Sequence, residues 1–582
     1  MLENINSPED VKKFNIGQMQ VLAEEIRKAI LNRVSTLGGH CSPNLGIVEA
    51  TIAMHYVFNS PEDKIIFDVS HQCYAHKILT GRKEAFLKPE HYSDVSGFSN
   101  CKESLHDMFT IGHTSTSISL ALGLAKARDL KGEKFNVIAF IGDGSLSGGE
   151  ALEGLNIAGE FEGNLIIIVN DNDMSIPENH GGLYKNLKLL RDTEGKAELN
   201  IFKAMGLEYT FVKDGNNISD LISAFKHVKD SKKPIAVHIC TIKGKGYPLA
   251  EQYKEKFHAC GPFYIETGKQ KFPIPDENYS AITNDFLMAK MKKDKTLFCI
   301  TCGTPVNMGF TPDKRKQAGK QFIDLGIAEE SAVALASGAA KAGGKPVWGV
   351  MSSFIQRTYD QLSQDLCMNK SPAVILNFWA SINGMKDITH LGIFDIPFLS
   401  NIPNMVYLAP FTKEEYLSML NWALEQRTHP VAIRVPIDVI SEGGITKKDW
   451  GNLNKYEITS KGSKIAIIGL GNFYGLGKQT AAVIEKQLGF KPTLINPYYI
   501  SGVDYELLES LKTNHKAVIT LEDGILDGGF GEKIARFYGS SEMKVLNYGF
   551  KKEFIDRFKV EDILKVNRLT LQQIAEDIAK IF

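Results

Sequence analysis

The sequence predicts an α/β protein of three consecutive domains built on mainly parallel sheets. Short apolar runs alternate with amphipathic stretches from one end to the other, the pattern of strands joined by crossover helices in sheets covered on both faces. The chain of 582 residues is long enough for about three or four domains of roughly 100–200 residues each. Two stretches interrupt the alternation: 243–279, rich in Lys, Gly, Pro and aromatics, and the polar, Gly-rich SEGGITKKDWGNLN at 441–454. The expected domains are therefore 1–275, 276–445 and 446–582.

In the first block, KIIFD (64–68), FNVIAFI (135–141), NLIIIVN (164–170) and PIAVHI (234–239) read as strands. Val21, Leu22, Ile26, Ile30 and Val34 form an early helical stripe. The second block runs from TLFCI (296–300) to VAIRV (431–435). The third holds SKIAIIGLG (463–471), KPTLINP (491–497) and AVITLEDG (517–524), each followed by a plausible helix. No internal repeat is visible.

Composition narrows the function. Lys plus Arg (67) nearly cancels Asp plus Glu (68), which leaves no long-range field to attract nucleic acid or an anionic membrane. Apolar runs fall short of the roughly 18 residues that span a bilayer, and MLENINSPEDVKKFNIGQMQ lacks an apolar targeting segment, so a cytoplasmic protein is expected. Eight cysteines are sparse for this length and suit reduced thiols. Cys299-Ile-Thr-Cys302 has redox spacing in the wrong context. Gly469-x-Gly471 resembles a dinucleotide turn but is spaced one residue too long before Gly475.

The most informative stretch is FNVIAFIGDGSLSGGEALEGLNIAGEFEGNLIIIVNDNDMSI, 135–176. It reads strand, Gly-rich turn, helix, strand, polar turn. Open α/β sheets bind ligands outside the carboxyl ends of their strands, where this unit puts Asp143 and, 29 residues on, Asn172. A carboxylate, an amide oxygen and a main-chain carbonyl such as that of Met174 supply half of an octahedral oxygen shell, leaving room for diphosphate oxygens and water, as Mg²⁺ prefers. Gly142 and Gly144 let backbone approach phosphate closely. Singly, Gly-Asp-Gly and Asn-Asp-Asn are ordinary turn sequences. Framed together by two apolar strands, they match the thiamin diphosphate motif.

Further motifs appear in order: GGHCSPNLGIVEATIAMHYVFN (38–59), FDVSHQCYAHKILTGR (67–82), GFSNCKESLHDMFTIGHTSTSIS (97–119), KGKGYPLAEQYKEKFHACGPF (243–263), DLGIAEESAV (324–333), SSFIQRTYDQL (352–362), THLGIFD (389–395) and VITLEDGILDGGFG (518–531). Through them the chain resembles the 1-deoxy-D-xylulose-5-phosphate synthase family of the transketolase superfamily over nearly its whole length. The resemblance implies a transketolase-like fold whose successive domains bind diphosphate, bind pyrimidine and form a C-terminal domain. It implies thiamin diphosphate and Mg²⁺ as cofactors, a homodimer, pyruvate and glyceraldehyde 3-phosphate or a related aldehyde as substrates, and a place in isoprenoid precursor and thiamine biosynthesis.

Residue by residue, the resemblance puts the cofactor against His71, Gly112, His113, Thr114, Gly144, Ser145, Asn172 and Tyr247. Backbone amides, hydroxyls and a helix start near Ser117 give the stretch 112–115 the character of an anion cradle. Glu329 corresponds to the glutamate that contacts N1′ of the aminopyrimidine ring, although two acids at a helix start also suit the helix dipole. His40, His258 and His390 match positions of substrate contact and proton transfer, for which imidazole is suited. His76 reads as structural.

The acceptor region departs from the family. Arg357 retains one of the arginines that hold the substrate phosphate, but Trp379 and Ile437 stand where two others are common, and Lys386 stands at an aspartate position. Two alternatives follow: a transketolase-like enzyme using a ketose donor or an unphosphorylated acceptor, and a weakly active cofactor-binding paralogue.

Overall fold

The computed structural model describes residues 1–443 and 449–581; the second expected domain boundary, at 445/446, lies outside the described residues. The chain divides into two compact units, Met1–Ile274 with Gly326–Ala328, and Pro275–Leu325 with Glu329–Phe582.

The first unit is built on β1 (Lys64–Phe67), β2 (Val137–Gly142), β3 (Ile166–Asp171), β4 (Glu208–Val212) and β5 (Ile235–Cys240). They pair in the order β1-β2-β3-β5-β4, all parallel. Their continuous apolar runs are explained by two cores. Ile65, Phe67, Ile138, Phe140, Ile166 and Ile168 enter one core, and Ile66, Val137, Ala139, Ile141, Ile167 and Val169 enter the other. Successive residues point to opposite faces, so both faces of these strands must be apolar.

The early helix spans Ile16–Leu37, capped by Asn15. Leu22, Ile26, Ile30 and Val34 are buried as expected, but Val21 is 48% exposed. Spacing of four keeps those residues on one stripe, whereas Val21 is turned about 100° from Leu22.

The second unit carries two sheets. β6 (Leu297–Thr301), β7 (Phe322–Asp324), β8 (Lys345–Met351), β9 (Val374–Phe378), β10 (Val406–Leu408) and β11 (Val431–Arg434) form a parallel sheet ordered β10-β11-β9-β8-β6-β7. β12 (Glu457–Ser460), β13 (Lys464–Gly469), β14 (Thr493–Asn496), β15 (His515–Ile525) and β16 (Lys544–Phe550) are ordered β12-β14-β13-β15-β16; β12 alone is antiparallel. Trp348, Ile375 and Tyr407 of one sheet share a core with Ala466, Ile468 and Val518 of the other, which is why the two sheets make one compact unit. Arg434 joins them, its buried guanidinium paired with Asp395 and Asp523.

All eight cysteines are free, and no helix among the described residues is long and apolar enough to cross a membrane.

Candidate functional site

In the first unit the site begins where β2 and β3 end side by side, with Gly142 paired to Asn170. Asp143 follows β2 and is buried; its Oδ2 accepts hydrogen bonds from the Met174 amide at 3.1 Å and the Asn179 side chain at 2.9 Å. Burial and neighbouring Asp171 push its carboxyl well above the usual carboxylate range, against the pull of Lys243. Asp171 itself is held low, despite burial, by His238 at 2.9 Å and Arg191 at 2.7 Å. On the adjoining strand end, Asn172 keeps a buried Oδ1 with no hydrogen-bond partner. A desolvated carboxylate and an orphaned amide oxygen are costly as they stand. Both are hard oxygen donors, and a Mg²⁺ ion carrying diphosphate fits them. Of the expected third ligand, Met174, the amide is engaged by Asp143.

The turn after Asp143 is tightly packed. A Cβ added to Gly144 would lie 2.9 Å from Ser175 Oγ and 3.0 Å from Ser175 Cα. The variant Gly144→Ala is therefore expected to displace the 172–176 turn and weaken thiamin diphosphate binding at least 10-fold, measured by calorimetry in Mg²⁺ buffer. The Ser145 carbonyl accepts the Ser115 hydroxyl at 2.8 Å, tying the turn to the 112–115 loop.

That loop differs from the expected anion cradle. The helix spans Ser117–Lys131, but the amides of Ser115 and Ser117 donate to the buried Asp68 carboxylate at 2.8 and 3.0 Å. The helix start is already answered by a carboxylate of the protein, because favourable N-terminal amides draw the nearest anion. Gly112, His113 and Thr114 precede this clamp; Gly112 is buried and the other two are half-buried.

Three histidines from separate segments come together. Ring centroids lie 4.9 Å apart for His40 and His71, 5.2 Å for His71 and His258, and 5.8 Å for His40 and His258. Burial, reinforced by Lys243, lowers His40 to about 4 and His258 well below its ordinary value, so both are neutral near pH 7 and able to exchange a proton. Lys243 is a group that sequence reasoning missed. It is buried, donates to the Ser175 carbonyl and is lowered by burial to about 8. Its Lys-Gly-Lys-Gly setting looks like a solvated loop, and only the fold reveals its burial. Tyr247 packs among Phe257 and Phe263 and donates its hydroxyl to the Ile265 carbonyl at 2.7 Å. His76 lies in a buried chain, 2.9 Å from both His55 and Asp107.

In the second unit, Glu329 opens the helix Glu329–Lys341 and is buried, with Oε2 lacking a hydrogen-bond partner and Arg357 3.9 Å away. Burial raises its carboxyl to about 7 and Arg357 opposes the rise. A carboxyl poised there can hold or release a proton near neutral pH, which suits contact with a ring nitrogen. Ser352 and Ser353, at the end of β8, also keep buried hydroxyls without partners.

His390 is buried, 2.8 Å from the Thr389 hydroxyl and edge-on to Phe354 at 5.5 Å. Asp387 anchors Thr389 through its amide at 2.9 Å and its hydroxyl at 2.6 Å. Lys386 is exposed. Trp379 leaves β9 with φ +60° and is 39% exposed; its indole N–H donates to Asn307 Oδ1 at 3.2 Å. Its carbonyl is closely walled, since a Cβ on Gly384 or Gly392 would come within 2.5 or 2.1 Å of it. A bulky residue with positive φ persists only where its surroundings fix it. Beside it, beyond the end of β11, the Ile437 amide donates to Asn472 Oδ1 at 3.2 Å.

Residues 2–200 match the family model for 1-deoxy-D-xylulose-5-phosphate synthase. Residues 106–306 match the thiamine diphosphate binding domain of transketolase, 278–438 its pyrimidine binding domain and 454–574 its C-terminal domain. The chain is 40% identical to the 1-deoxy-D-xylulose-5-phosphate synthase of Caldanaerobacter subterraneus subsp. tengcongensis, covering 99% of this chain and 98% of that one. It is 39% identical to that of Clostridium tetani, covering 98% of each. Among solved structures it is similar to transketolase from Leishmania mexicana, with a TM-score of 0.43, 15% identity and 96% of each chain covered.

Proposed function

The chain belongs to the 1-deoxy-D-xylulose-5-phosphate synthase family, and from that premise we propose that it decarboxylates pyruvate and transfers the remaining two carbons to an aldehyde, using thiamin diphosphate and Mg²⁺. The observation that carries the proposal is the buried Asp143 carboxylate at one strand end with the orphaned Asn172 amide oxygen at the next.

Asp143, Asn172 and the Met174 carbonyl are proposed to hold the ion. His71, Gly112, His113, Thr114, Gly144, Ser145 and Tyr247 form the proposed surroundings of the cofactor. When bound, the cofactor supplies carbanion chemistry at its thiazolium ring. Glu329 holds a proton toward the aminopyrimidine N1′ position. His40, His258 and His390 move protons at the oxygen atoms of the reacting carbonyls, work to which imidazole is suited. Arg357, Trp379, Lys386 and His390 border the acceptor. The domain bounds 1–275, 276–445 and 446–582, a cytoplasmic homodimer, and service to isoprenoid precursor and thiamine biosynthesis belong to the same proposal.

The test supplies pyruvate, thiamin diphosphate and Mg²⁺, measures CO₂ release with and without phosphorylated and plain aldehydes, and identifies the product. Release stimulated by glyceraldehyde 3-phosphate is expected of the synthase reaction. Turnover of ketoses without pyruvate would replace it with a transketolase-like reaction, and cofactor binding without any turnover would indicate a binding paralogue.

A second reading, an acceptor without phosphate, is favoured by the acceptor-side residues. Arg434 is locked in buried ion pairs, while exposed Trp379 and half-buried Ile437 follow the ends of the paired strands β9 and β11. A charge-assisted contact is worth about 1.5–3 kcal/mol, so Trp379→Arg with Ile437→Arg is expected to raise kcat/KM for a phosphorylated over a plain acceptor by about 10²–10⁴. An unchanged preference contradicts this reading.

A further inference from the structure

The three clustered histidines come from segments held together by a brace that the proposed reaction leaves unexplained. The His40 and His258 segments are joined by main chain: Gly39 and Cys260 exchange N–H···O bonds at 2.8 and 3.0 Å, and the Ser42 amide donates to the Phe257 carbonyl at 2.8 Å. The link to the His71 segment runs through Asn44, a fully buried side chain in the short helix Ser42–Gly46. Asn44 Nδ2 donates to the His40 carbonyl at 2.8 Å and the His71 carbonyl at 2.7 Å. Asn44 Oδ1 accepts the Tyr74 amide at 2.9 Å, at the first residue of the helix Tyr74–Lys77.

The stretch that delivers His71 is strained. Val69 and Ser70 adopt φ values of 57° and 64°, a region that β-branched residues rarely enter. Ser70 is held there by donating to the Ile111 carbonyl at 2.7 Å and accepting the Ser99 amide at 2.7 Å. A strained turn held upstream still leaves the direction of His71 to be set, and Asn44 grips the carbonyl of that residue. Both donor hydrogens of one amide are thus committed to the two histidines whose rings meet at 4.9 Å. Asparagine suits this place because it offers two donors and an acceptor in one short, rigid plane.

We propose that Asn44 is a positioning residue that fixes His40 against His71, and so sets the geometry of proton transfer by His40. The proposal rests on the roles proposed above for those two histidines. Asn44 acts through them, its side chain bonded to the His40 and His71 carbonyls and the Tyr74 amide.

The informative variant is Asn44→Asp, which keeps the shape and the acceptor for Tyr74 but has no donor when ionised. It is expected to lower kcat for pyruvate by about 10–100-fold at pH 8 with a smaller change in KM, the loss appropriate to a misplaced reacting group. The deficit should narrow toward pH 6 as the carboxyl gains a proton and regains one donor. His71, His258 and Lys243 face His40 in wild type and variant alike, so the variant-to-wild-type ratio isolates residue 44. Asn44→Ala should lose activity at every pH, and Asn44→Ser, with one donor, should fall between.

A second readout needs neither cofactor nor turnover. In ¹³C-histidine NMR spectra, assigned with His40→Gln and His71→Gln, the signals of both rings should shift or broaden in the Asn44 variants. They should stay in place in Thr51→Val, which removes another buried hydrogen bond, to the Ile47 carbonyl. A wild-type pH profile in Asn44→Asp, or unmoved signals in all three variants, overturns the proposal. An inactive wild type whose histidine signals move as described would remove the proposed reaction and leave the brace standing.

Discussion

Replacing Glu329 with glutamine is expected to lower kcat for pyruvate by about 10²–10⁴-fold, the usual yield of a positioned acid or base, with a much smaller change in thiamin diphosphate affinity. The side chain keeps its size and loses only the ability to exchange a proton. The same variant makes the cofactor-free protein more stable in alkaline buffer. Burial holds the carboxyl at about 7, above its ordinary 4.5. A group raised in the folded state is at no disadvantage below its unfolded value, and loses stability as pH climbs through the folded one. The gap between Glu329→Gln and wild type should therefore be near zero at pH 4.5 and grow to about 3 kcal/mol above pH 8. Glu522 is also raised by burial to about 7, so wild type alone cannot assign the effect; the difference between the two proteins in urea unfolding can. Arg357→Gln should move the titration of Glu329 to higher pH, since the guanidinium now opposes the rise.

Asp143→Asn is the second large effect. Removing a principal electrostatic contact costs about 10²–10³-fold in turnover, and here it also removes an ion ligand, so cofactor uptake should fall with it. In the absence of Mg²⁺ and cofactor the variant should melt no lower than wild type. The native carboxylate is desolvated beside Asp171, and an amide of the same shape avoids that cost while still accepting from Met174. Thermal scans separate the two halves of the prediction: wild type gains midpoint on adding Mg²⁺ with thiamin diphosphate, and Asp143→Asn does not. A variant that melts lower without cofactor, yet retains the gain, would assign Asp143 to folding and remove it from the ion site.

The central βαβ unit was legible because its signal is local: two apolar strands, each ending in a turn rich in oxygen donors. The structure keeps those turns on neighbouring strand ends. β4 escaped notice because Glu208–Val212 is an edge strand, mostly half-exposed, with no clean apolar run. β12, Glu457–Ser460, is short and polar for the same reason. The Asp68 clamp, the burial of Lys243 and the grip of Asn44 on two histidine carbonyls are tertiary facts, made by residues far apart in the chain. No window of sequence contains them. Trp379 was legible as a departure from the family, but its positive φ and the walls around its carbonyl belong to the fold.

The most direct measurement is a calorimetric titration of thiamin diphosphate into the full chain in buffer with and without Mg²⁺. Uptake of one cofactor per chain, dependent on Mg²⁺ and abolished by Asp143→Asn, is the predicted result. Absence of heat in Mg²⁺ buffer, or binding indifferent to both the ion and Asp143, would contradict the assignment of this strand-end site.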